Sequence, residues 1–447
     1  MTVSYPTLII SRRPRSLGSS WDDARSWFGG KPQLGGQPWP RGGARQTPFH
    51  FLAQIDLAEV GREVGRWGGP TPLPDGALAF FIGTEGKDSG AVVHVPRSTL
   101  GAPTEPPPDA PAVLEPGGDV FPATFDREAP RLFPRWPVDV TAVDVEPDAY
   151  EKALAIGDED ARADAIEAVQ AAQVAAVDRH FTRREYFLTS KEAYKLLGDA
   201  PRPHWWHSAH YYAACLRSAM RRAPERVESR RRDLEAARAQ LARVRPAGVR
   251  SALALRLSRK SEEVKKAEEE VARREALLVE VERPAAEFER FVREVADWAR
   301  DTDPWQSMPP DAVATLTSTF ERGRTAFREF TRFYTPHSLE NLETETLLAL
   351  ATADDRAYAT MPEAVRTLIN TKYLLPTGSW HQLFGKGVDI QGNAAVENEG
   401  TVMLLQLVYD DMMHWQFGDL GAYQFWIPPD DLARGNWAAV RLTFECG

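Results

Sequence analysis

At 447 residues, with 43% hydrophobic residues, the chain has ample apolar side chains for two or three packed substructures and is not a disordered protein. Its formal net charge of -10 argues against a whole-chain binder of nucleic acid or acidic membranes, since such partners are held mainly by excess Lys and Arg. The only two cysteines, Cys215 and Cys446, lie far apart and do not have the spacing of a metal knuckle or a redox pair.

The first part of the chain predicts strands. A nearly continuous apolar run at residues 51–57 is typical of a strand covered on both faces. A turn signal containing Pro74 and Gly76 precedes a second strand at 77–82, and residues 90–95 predict a third. Residues 138–145 alternate valine with polar residues, which indicates a half-buried strand, and alanine-rich helical sequence follows.

The middle of the chain predicts a helical insertion at residues 201–335. Leu234, Leu241, Val264 and Val271 follow heptad a and d spacing on either side of a break at 246–248. Two such helices joined by a tight break should fold back on each other, which predicts an antiparallel coiled-coil hairpin at about 222–283. Further helices are predicted up to about residue 370.

The tail returns to sheet, with strands predicted at 402–409, 422–427 and 440–444 and a short helix at 429–434. The segment 421–427 repeats the segment 76–82: glycine, alanine, phenylalanine and isoleucine recur in register. Each copy follows an apolar run that contains one glutamine, Gln54 or Gln406. A looser match pairs residues 34–36 with 383–385. The pattern predicts one sheet-forming unit that is duplicated and split by the helical middle.

An ordered set of short segments resembles the bacterial YwqG-like family, a domain of unknown function. The segments lie at 34–40, 51–57 and 76–82 near the front, and at 381–385, 389–391, 404–407, 418–421 and 425–427 near the end. Phe417 stands where that family usually has tryptophan, and Lys386 and Gly387 replace a typical aromatic-proline pair. The resemblance covers about 1–145 and 375–447, so the helical hairpin is an insertion.

The resemblance implies an α+β fold with a duplicated mixed or antiparallel sheet formed by both chain ends. We therefore expect residues 1–200 and 336–447 to form the two halves of one domain, interrupted by the helical insertion. Some relatives lie in toxin and immunity gene neighbourhoods, which suggests protein binding but assigns no catalytic residue.

Six residues are candidates for a ligand site in the crevice between the sheet repeats: Gln54, His381, Gln391, Gln406, Trp415 and Asp419. The amides of Gln54 and Gln406 need partners, because an unpaired buried amide costs about 1 to 3 kcal/mol. Two interpretations stay open. Each glutamine bonds backbone at the start of the opposite repeat, or the pair binds a ligand at the pseudo-symmetric seam.

The stretch 217–250 holds eleven arginines against four carboxylates, a local excess in an acidic chain. One interpretation is a solvated helix face paired with glutamates of the returning helix. The other is a docking surface for an acidic protein or for nucleic acid phosphates. The arm lacks aromatic residues that would stack bases, which favours protein over single-stranded nucleic acid. The candidate partner-binding residues are Arg226, Arg230, Arg231, Arg232 and Arg238.

Two polar clusters have weaker claims to chemistry. His204, His207 and His210 recur at three-residue steps, but no carboxylate accompanies them, and packing by Trp205, Trp206, Tyr211 and Tyr212 against the sheet domain is the favoured interpretation. Asp410, Asp411, His414 and Asp419 lie close together in a predicted loop. No nucleophile elbow, phosphate loop or zinc protease helix is present, so we expect no catalytic residue, no metal and no cofactor.

The sequence as a whole predicts a non-enzymatic cytoplasmic protein that recognises a protein partner through the hairpin, such as an immunity or regulatory factor. No run approaches the roughly 20 apolar residues of a membrane span, and no membrane partner is expected. The main alternative is an enzyme or small-ligand receptor that uses the crevice between the repeats. A homodimer through paired hairpins is a third interpretation that we leave open.

Overall fold

The computed structural model describes residues 5–18, 21, 23–66, 73–83, 89–113, 130–143, 146, 149–245, 259–392 and 394–447. These residues form two compact units. The helical unit contains residues 203–346, and the sheet unit contains the described residues before 203 and after 346.

Strands from both chain ends form one ten-stranded sheet. They are β1 (Leu8–Arg12), β2 (Trp27–Phe28), β5 (His50–Asp56), β6 (Ala77–Ile82), β7 (Gly90–Val95), β8 (Trp136–Ala142), β9 (His381–Leu383), β10 (Val402–Val408), β11 (Ala422–Ile427) and β12 (Arg441–Glu445), with β3 (Arg41–Gly42) and β4 (Thr47–Pro48) as a separate ribbon. The order is β12-β11-β10-β9-β1-β8-β2-β5-β6-β7, and the pairs are antiparallel. The predicted α+β fold is confirmed.

The sheet has the internal symmetry that the repeated segments predict. Strands β1 and β8 pair at its centre. Outward from β8 lie β2, β5, β6 and β7, and outward from β1 lie β9, β10, β11 and β12 in the matching order. A β-bulge interrupts β5 between Phe51 and Ala53, and a second interrupts β10 between Met403 and Leu405. Both bulges lie just before the repeated glutamine.

The looser match between residues 34–36 and 383–385 was wrong. Strand β2 is followed by Gly29 and Gly30, whose φ angles are 55° and 64°, and β9 is followed by Phe384 and Gly385, whose φ angles are 56° and 66°. The same left-handed turn therefore follows the first strand of each repeat. The sequence match failed because Leu34 resembles Leu383, whereas the residue that ends β2 at the equivalent place is Phe28.

The sheet curls until it is nearly closed, which brings the two repeats against each other. Phe80 of β6 and Phe425 of β11 are equivalent residues, and their ring centroids lie 5.2 Å apart. At the two edges, a Cβ built on Gly90 of β7 would lie 2.8 Å from the Leu442 side chain of β12. Both faces of the strands are buried for this reason: every residue of β5, β6 and β11 is buried.

The helices flank and separate these strands. They are α1 (Leu57–Arg66), α2 (Ala149–Leu154), α3 (Glu159–His180), α4 (Ser190–Lys195), α5 (His207–Val244), α6 (Arg259–Glu282), α7 (Ala285–Arg300), α8 (Pro310–Ala326), α9 (Arg328–Thr331), α10 (Leu339–Thr352), α11 (Asp355–Thr360), α12 (Glu363–Lys372), α13 (Ala394–Glu397) and α14 (Pro429–Arg434). No helix among the described residues is long and apolar enough to cross a membrane.

The helical unit has its own aromatic core. Phe288 of α7 stacks on Phe330 of α9 with ring centroids 4.8 Å apart, and Tyr212 of α5 lies 5.2 Å from Phe320 of α8. Trp206 contacts Trp298 of α7 at 5.0 Å. The expectation that the aromatic residues at 205–212 pack against the sheet was therefore wrong for Trp206 and Tyr212, since both pack in the core of their own unit.

Helices α5 and α6 form an antiparallel pair, which we call the arm. Three ion pairs join them at seven-residue intervals: Arg231 to Glu282 at 2.7 Å, Arg238 to Glu275 at 2.7 Å and Arg245 to Glu268 at 3.5 Å. The residue numbers rise along α5 as they fall along α6, so the helices run in opposite directions. The predicted break at 246–248 lies outside the described residues.

Candidate functional site

The repeated glutamines Gln54 and Gln406 are each 1% exposed. The Gln54 side chain accepts a hydrogen bond from the backbone N–H of Gln33 at 2.8 Å. The Gln406 side chain accepts one from the backbone N–H of Val388 at 2.7 Å and donates to the carbonyl of Trp380 at 3.0 Å. Each glutamine thus anchors the loop that follows the first strand of its own repeat.

The expectation that each glutamine bonds the opposite repeat was therefore wrong. Among the described residues, the hydrogen-bond partners of both side-chain amides lie in the glutamine's own repeat. The amide of Gln406 is also held by Gln424 of β11, whose Nε2 donates to the Gln406 Oε1 at 3.0 Å. These bonds use the amide groups that a ligand would need.

We expect Gln54→Ala and Gln406→Ala each to lower the free energy of unfolding by about 1–3 kcal/mol, because each change leaves buried backbone groups unpaired. The larger loss should come from Gln406, which has three partners. Urea unfolding followed by circular dichroism measures the effect. The control is Gln391→Ala, since Gln391 is exposed. Wild-type stability in both buried-site variants would contradict the anchoring role.

A buried ionic network surrounds Asp410, which follows β10. Arg12 of β1 donates from Nη1 to Asp410 Oδ2 and from Nε to the carbonyl of Tyr373 at 3.0 Å. His381 of β9 lies with Nε2 3.0 Å from the same carboxylate oxygen. Arg12, His381 and Asp410 are each 0% exposed. The network therefore ties the first strand of the chain to the second repeat.

The environment fixes the protonation of this network. Burial lowers the pKa of His381, so its ring is neutral. The Val408 N–H donates to Nδ1 at 3.2 Å, which leaves the ring proton on Nε2, where it is donated to Asp410. Burial alone would raise the pKa of Asp410, but the charge of Arg12 and the hydrogen bond from His381 hold it well below its usual range.

Arg184, in the segment after α3, extends the network. Its Nη2 donates to Asp411 Oδ1 and lies 3.5 Å from Asp410 Oδ1. The network then contains two guanidinium groups and two carboxylates, so its formal charges balance around a neutral His381. A His–Asp pair is a familiar acid–base unit, but this one is sealed from solvent. We assign it a structural role.

Trp415 lies beside the network inside the sheet unit. Its ring centroid is 5.3 Å from that of His381 and 5.0 Å from that of Phe28 in the first repeat. The residue is 0% exposed, and its Nε1 has no hydrogen-bond acceptor among the described residues. Trp415 therefore packs between the repeats, as an interior side chain.

The six candidate crevice residues do not form one site. His381 and Trp415 are neighbours in the interior, and the two glutamines lie in separate loop anchors. Gln391 and Asp419 are exposed. Of the polar loop cluster, Asp410 and Asp411 join the ionic network, whereas Asp419 remains at the surface. His414 has a left-handed φ of 55° at the end of the short turn after Asp411.

The three histidines near the start of α5 point to different partners. His204 Nδ1 lies 3.2 Å from a carboxylate oxygen of Glu343, and His207 Nδ1 lies 3.0 Å from the Thr346 hydroxyl. His210 Nε2 lies 3.0 Å from the Thr302 carbonyl oxygen. Among the described residues there is no group of three or more His, Cys, Asp or Glu side chains that could hold a metal ion.

The candidate partner-binding arginines divide into two groups. Arg226 and Arg230 reach Glu329 at 3.1 and 2.8 Å, and they fasten α5 to α9. Arg231 and Arg238 bind the glutamates of α6. Arg232 alone of the five is exposed without an ion pair in the part of the chain that the structure describes.

A second unpaired arginine was missed by the sequence reasoning. Arg243 is exposed and, within the described residues, has no ion pair. It follows Arg232 by eleven residues, which is about three turns of helix, so both lie on one face of α5. Ala236 and Ala239 lie between them on that face, and both are exposed. We call Arg232, Ala236, Ala239 and Arg243 the outer stripe. An eleven-residue spacing of arginines was the available signal.

The outer stripe lies on the side of α5 that faces away from α6. The less exposed residues of the distal part of α5 are Leu234, Ala237, Leu241 and Val244, which recur at three- and four-residue steps and mark the face toward α6. At 100° per residue, the stripe is displaced from that face by roughly 150°. In the part of the chain that the structure describes, these four residues of the helix are therefore left exposed.

Comparison with known proteins gives a family and no activity. A family model described as a domain of unknown function, DUF1963, matches residues 26–100 and 268–446, more than half of the chain. The first segment contains the strands β2 to β7, and the second contains β9 to β12 together with the helices from the middle of α6 onward. The match leaves out residues 101–267, which include α5 and the start of α6. No curated protein matches the chain. The chain belongs to the DUF1963 family, whose function is unknown.

Proposed function

We propose that the protein is a non-enzymatic binding module that recognises a protein partner through the outer stripe of the arm. The observation that carries the proposal is that Arg232 and Arg243, on the face of α5 away from α6, are exposed and have no ion pair within the described residues. The neighbouring arginines are engaged in ion pairs that hold the arm together. Ion pairing within the arm and binding of a partner are thus assigned to different arginines of one helix.

The shape of the stripe supports helix packing against a partner. The small side chains of Ala236 and Ala239 allow another backbone to approach α5 closely, and the arginines at either end would contact carboxylates. An amphipathic helix or an extended acidic segment fits such a surface, because helix faces are common recognition elements. The local excess of arginine in a chain of net charge -10 favours an acidic partner.

We also propose a narrower family for the protein and a location in the cell. The chain would be a YwqG-like protein of the bacterial cytoplasm that acts as an immunity or regulatory factor. The motif set and the two widely separated cysteines support this interpretation. The helical arm is the part that relatives without the insertion would lack.

Two alternatives rank below this one for physical reasons. A small-ligand receptor or enzyme in the sheet unit would need its candidate residues together, but the buried glutamines already bond protein groups and Gln391 and Asp419 are exposed. A homodimer through paired arms draws some support from charge, since the distal part of α5 is mainly basic and α6 carries a small acidic excess. Sedimentation of the wild type, with a monomer expected, separates this alternative from a heterologous partner.

The test is affinity capture from the source cells with three full-length proteins compared side by side by mass spectrometry. They are the wild type, the charge reversal Arg232→Glu/Arg243→Glu, and a control reversal at two exposed arginines of the sheet unit, Arg62→Glu/Arg441→Glu. We expect a partner that the wild type and the control retain and that the stripe variant loses. Both double variants change the net charge equally, so a general charge effect cannot explain the difference.

The salt dependence supplies a second readout of the same contact. Partner capture by the wild type should weaken as the salt concentration rises from 0.05 to about 0.5 M, because exposed charges are screened over a few ångströms at high salt. A partner that all three proteins retain equally at every salt concentration would contradict the proposal.

A further inference from the structure

A cavity of about 180 Å³ opens at the base of the arm, within the helical unit. It lies between the first half of α5 and the segment that contains α9. The lining residues are Ala219, Arg222, Ala223, Glu225, Arg226, Ser229, Glu329, Phe330, Phe333 and Tyr334. Ser229 is one helical turn from Arg232, so the cavity lies next to the start of the outer stripe.

Positive charge is concentrated at one wall of this cavity. Arg226, Arg230 and Arg332 converge on the single carboxylate of Glu329 at 3.1, 2.8 and 3.4 Å. Arg230 also lies 3.7 Å from the carboxylate of Asp233, which Arg274 contacts at 3.0 Å, and the pair of Arg222 with Glu225 is neutral. Four guanidinium groups around the carboxylates of Glu329 and Asp233 therefore leave a net formal charge of +2.

Hydrogen-bonding capacity at this wall also exceeds what Glu329 can accept. Three guanidinium groups carry about fifteen N–H donors, whereas a carboxylate has about four acceptor positions. The Nε atoms of Arg226, Arg230 and Arg332 are buried and have no hydrogen-bond partner among the described residues. Those buried nitrogens are out of reach of a ligand, but the Arg226 and Arg332 side chains are 26% and 35% exposed, so the charge of the cluster is accessible to an additional anion.

An exposed aromatic ring lies beside the charge. Phe333 is 58% exposed, and its ring lies 4.5 Å from the guanidinium carbon of Arg332 and 5.6 Å from that of Arg226. Leaving a phenylalanine ring in water is unfavourable, since burial of such a side chain is worth roughly 1.5–3 kcal/mol. Ala219 and Ala223 complete an apolar floor.

We propose that this cavity binds a large apolar side chain of an acidic peptide segment, whose carboxylates contact the arginine cluster. The inference rests on the proposed function and names the chemistry of the partner. The volume decides the size of the occupant, because pockets for drug-sized ligands and cofactors measure about 300–1,000 Å³. A cavity of about 180 Å³ accommodates one side chain.

An acidic protein segment fits the site better than nucleic acid. The net charge of the chain is -10, which opposes the approach of a polyanion, whereas a short peptide with two or three carboxylates interacts with the local cluster. A large anchor side chain that fills a pocket on the partner is a common arrangement of a binding hot spot.

The test uses a phage-displayed library of random heptapeptides, selected on the full-length wild type and counter-selected on Ala223→Trp, whose indole fills the cavity. We expect recovered peptides that contain at least two acidic residues and one Phe, Trp, Leu or Met. The best peptide, synthesised with blocked ends, should lose affinity by about thirtyfold for Phe333→Ala, measured by calorimetry. Removal of an exposed aromatic in the sheet unit, Tyr186→Ala, should leave the affinity unchanged.

Three results of the selection would overturn the inference: no peptide is enriched on the wild type, the enriched peptides bind Ala223→Trp equally well, or the enriched peptides lack acidic residues. The inference would also be overturned if a labelled twelve-nucleotide oligothymidine bound tightly to the wild type and Phe333→Ala abolished that binding. Circular dichroism confirms that each variant is folded. Failure here is distinguishable from failure of the proposed function, because a partner lost by the stripe variant but retained by Ala223→Trp would support the stripe and exclude the cavity.

Discussion

Replacement of Asp410 by alanine should lower the free energy of unfolding by about 3–5 kcal/mol, the loss that follows when one member of a buried charged network is removed. Asp410 is 0% exposed and contacts Arg12, His381 and Arg184. Without it, two guanidinium groups are buried against one remaining carboxylate, Asp411. Urea unfolding of the sheet unit at pH 7 measures the loss.

A matched control tests whether burial causes the effect. Asp109 forms a two-pronged ion pair with Arg41 at 2.6 and 2.8 Å, but its side chain is 60% exposed. Asp109→Ala should change the stability little, because exposed ion pairs are screened by water. Asp410→Asn keeps the shape and removes the charge, and we expect it to be destabilised as well. Equal, small losses in all three variants would contradict the structural role of the network.

Acid should weaken the fold through its buried histidines. His50 of β5 is 2% exposed, and burial lowers its pKa to about 4. Between that value and about 6.5, the unfolded chain binds a proton at His50 that the folded chain does not. Stability is therefore fully present above about pH 6.5 and is lost as the pH falls toward 4. The difference of about 2.5 between the two pKa values is worth roughly 3 kcal/mol.

The measurement is the urea midpoint at pH 7, 6, 5 and 4 for the wild type, His50→Gln and His337→Gln. The His50 variant should be less stable at pH 7 but should show a shallower loss on acidification, because one titrating group has been removed. The exposed His337 serves as the control, and its variant should follow the wild-type pH profile. Parallel profiles for the wild type and His50→Gln would contradict the assignment.

The strands could be predicted from the sequence because the hydrophobic patterns that indicate them are local. Apolar runs with period-two or continuous burial patterns predicted β5, β6, β7, β10 and β11, and the short helix at 429–434 is α14. The repeat predicted a duplicated sheet-forming unit, and the structure shows the equivalent segments as equivalent strands of a symmetric sheet. Neither bulge could be predicted from the sequence, because a bulge depends on the pairing register of two strands.

The hydrogen-bond and ionic partners of the buried polar residues could not be predicted in the same way. Gln54 bonds a backbone group 21 residues away and Gln406 bonds one 18 residues away, and only the path of the intervening loop decides this. The ionic network joins residues 398 positions apart, Arg12 and Asp410. Nothing in the local sequence of Arg12 distinguishes it from Arg13, which is only half-buried.

The arginine-rich helix α5 shows that the partners of surface residues are equally hard to predict from sequence. Composition identified the excess of positive charge, but the register of α5 against α6 decides which arginines find a glutamate. Arg231 and Arg238 face the partner helix, whereas Arg232, one residue further, does not. A step of one residue turns a side chain by about 100° around a helix, which separates a structural arginine from an available one.

The central claim is that the outer stripe of the arm binds a protein partner. The most direct measurement is the dissociation constant of the captured partner, determined by calorimetry with the wild type, Arg232→Glu/Arg243→Glu and Arg62→Glu/Arg441→Glu. The account predicts that affinity falls by about tenfold or more only in the stripe variant, since reversed charges repel an acidic surface. An unchanged dissociation constant in the folded stripe variant would contradict it.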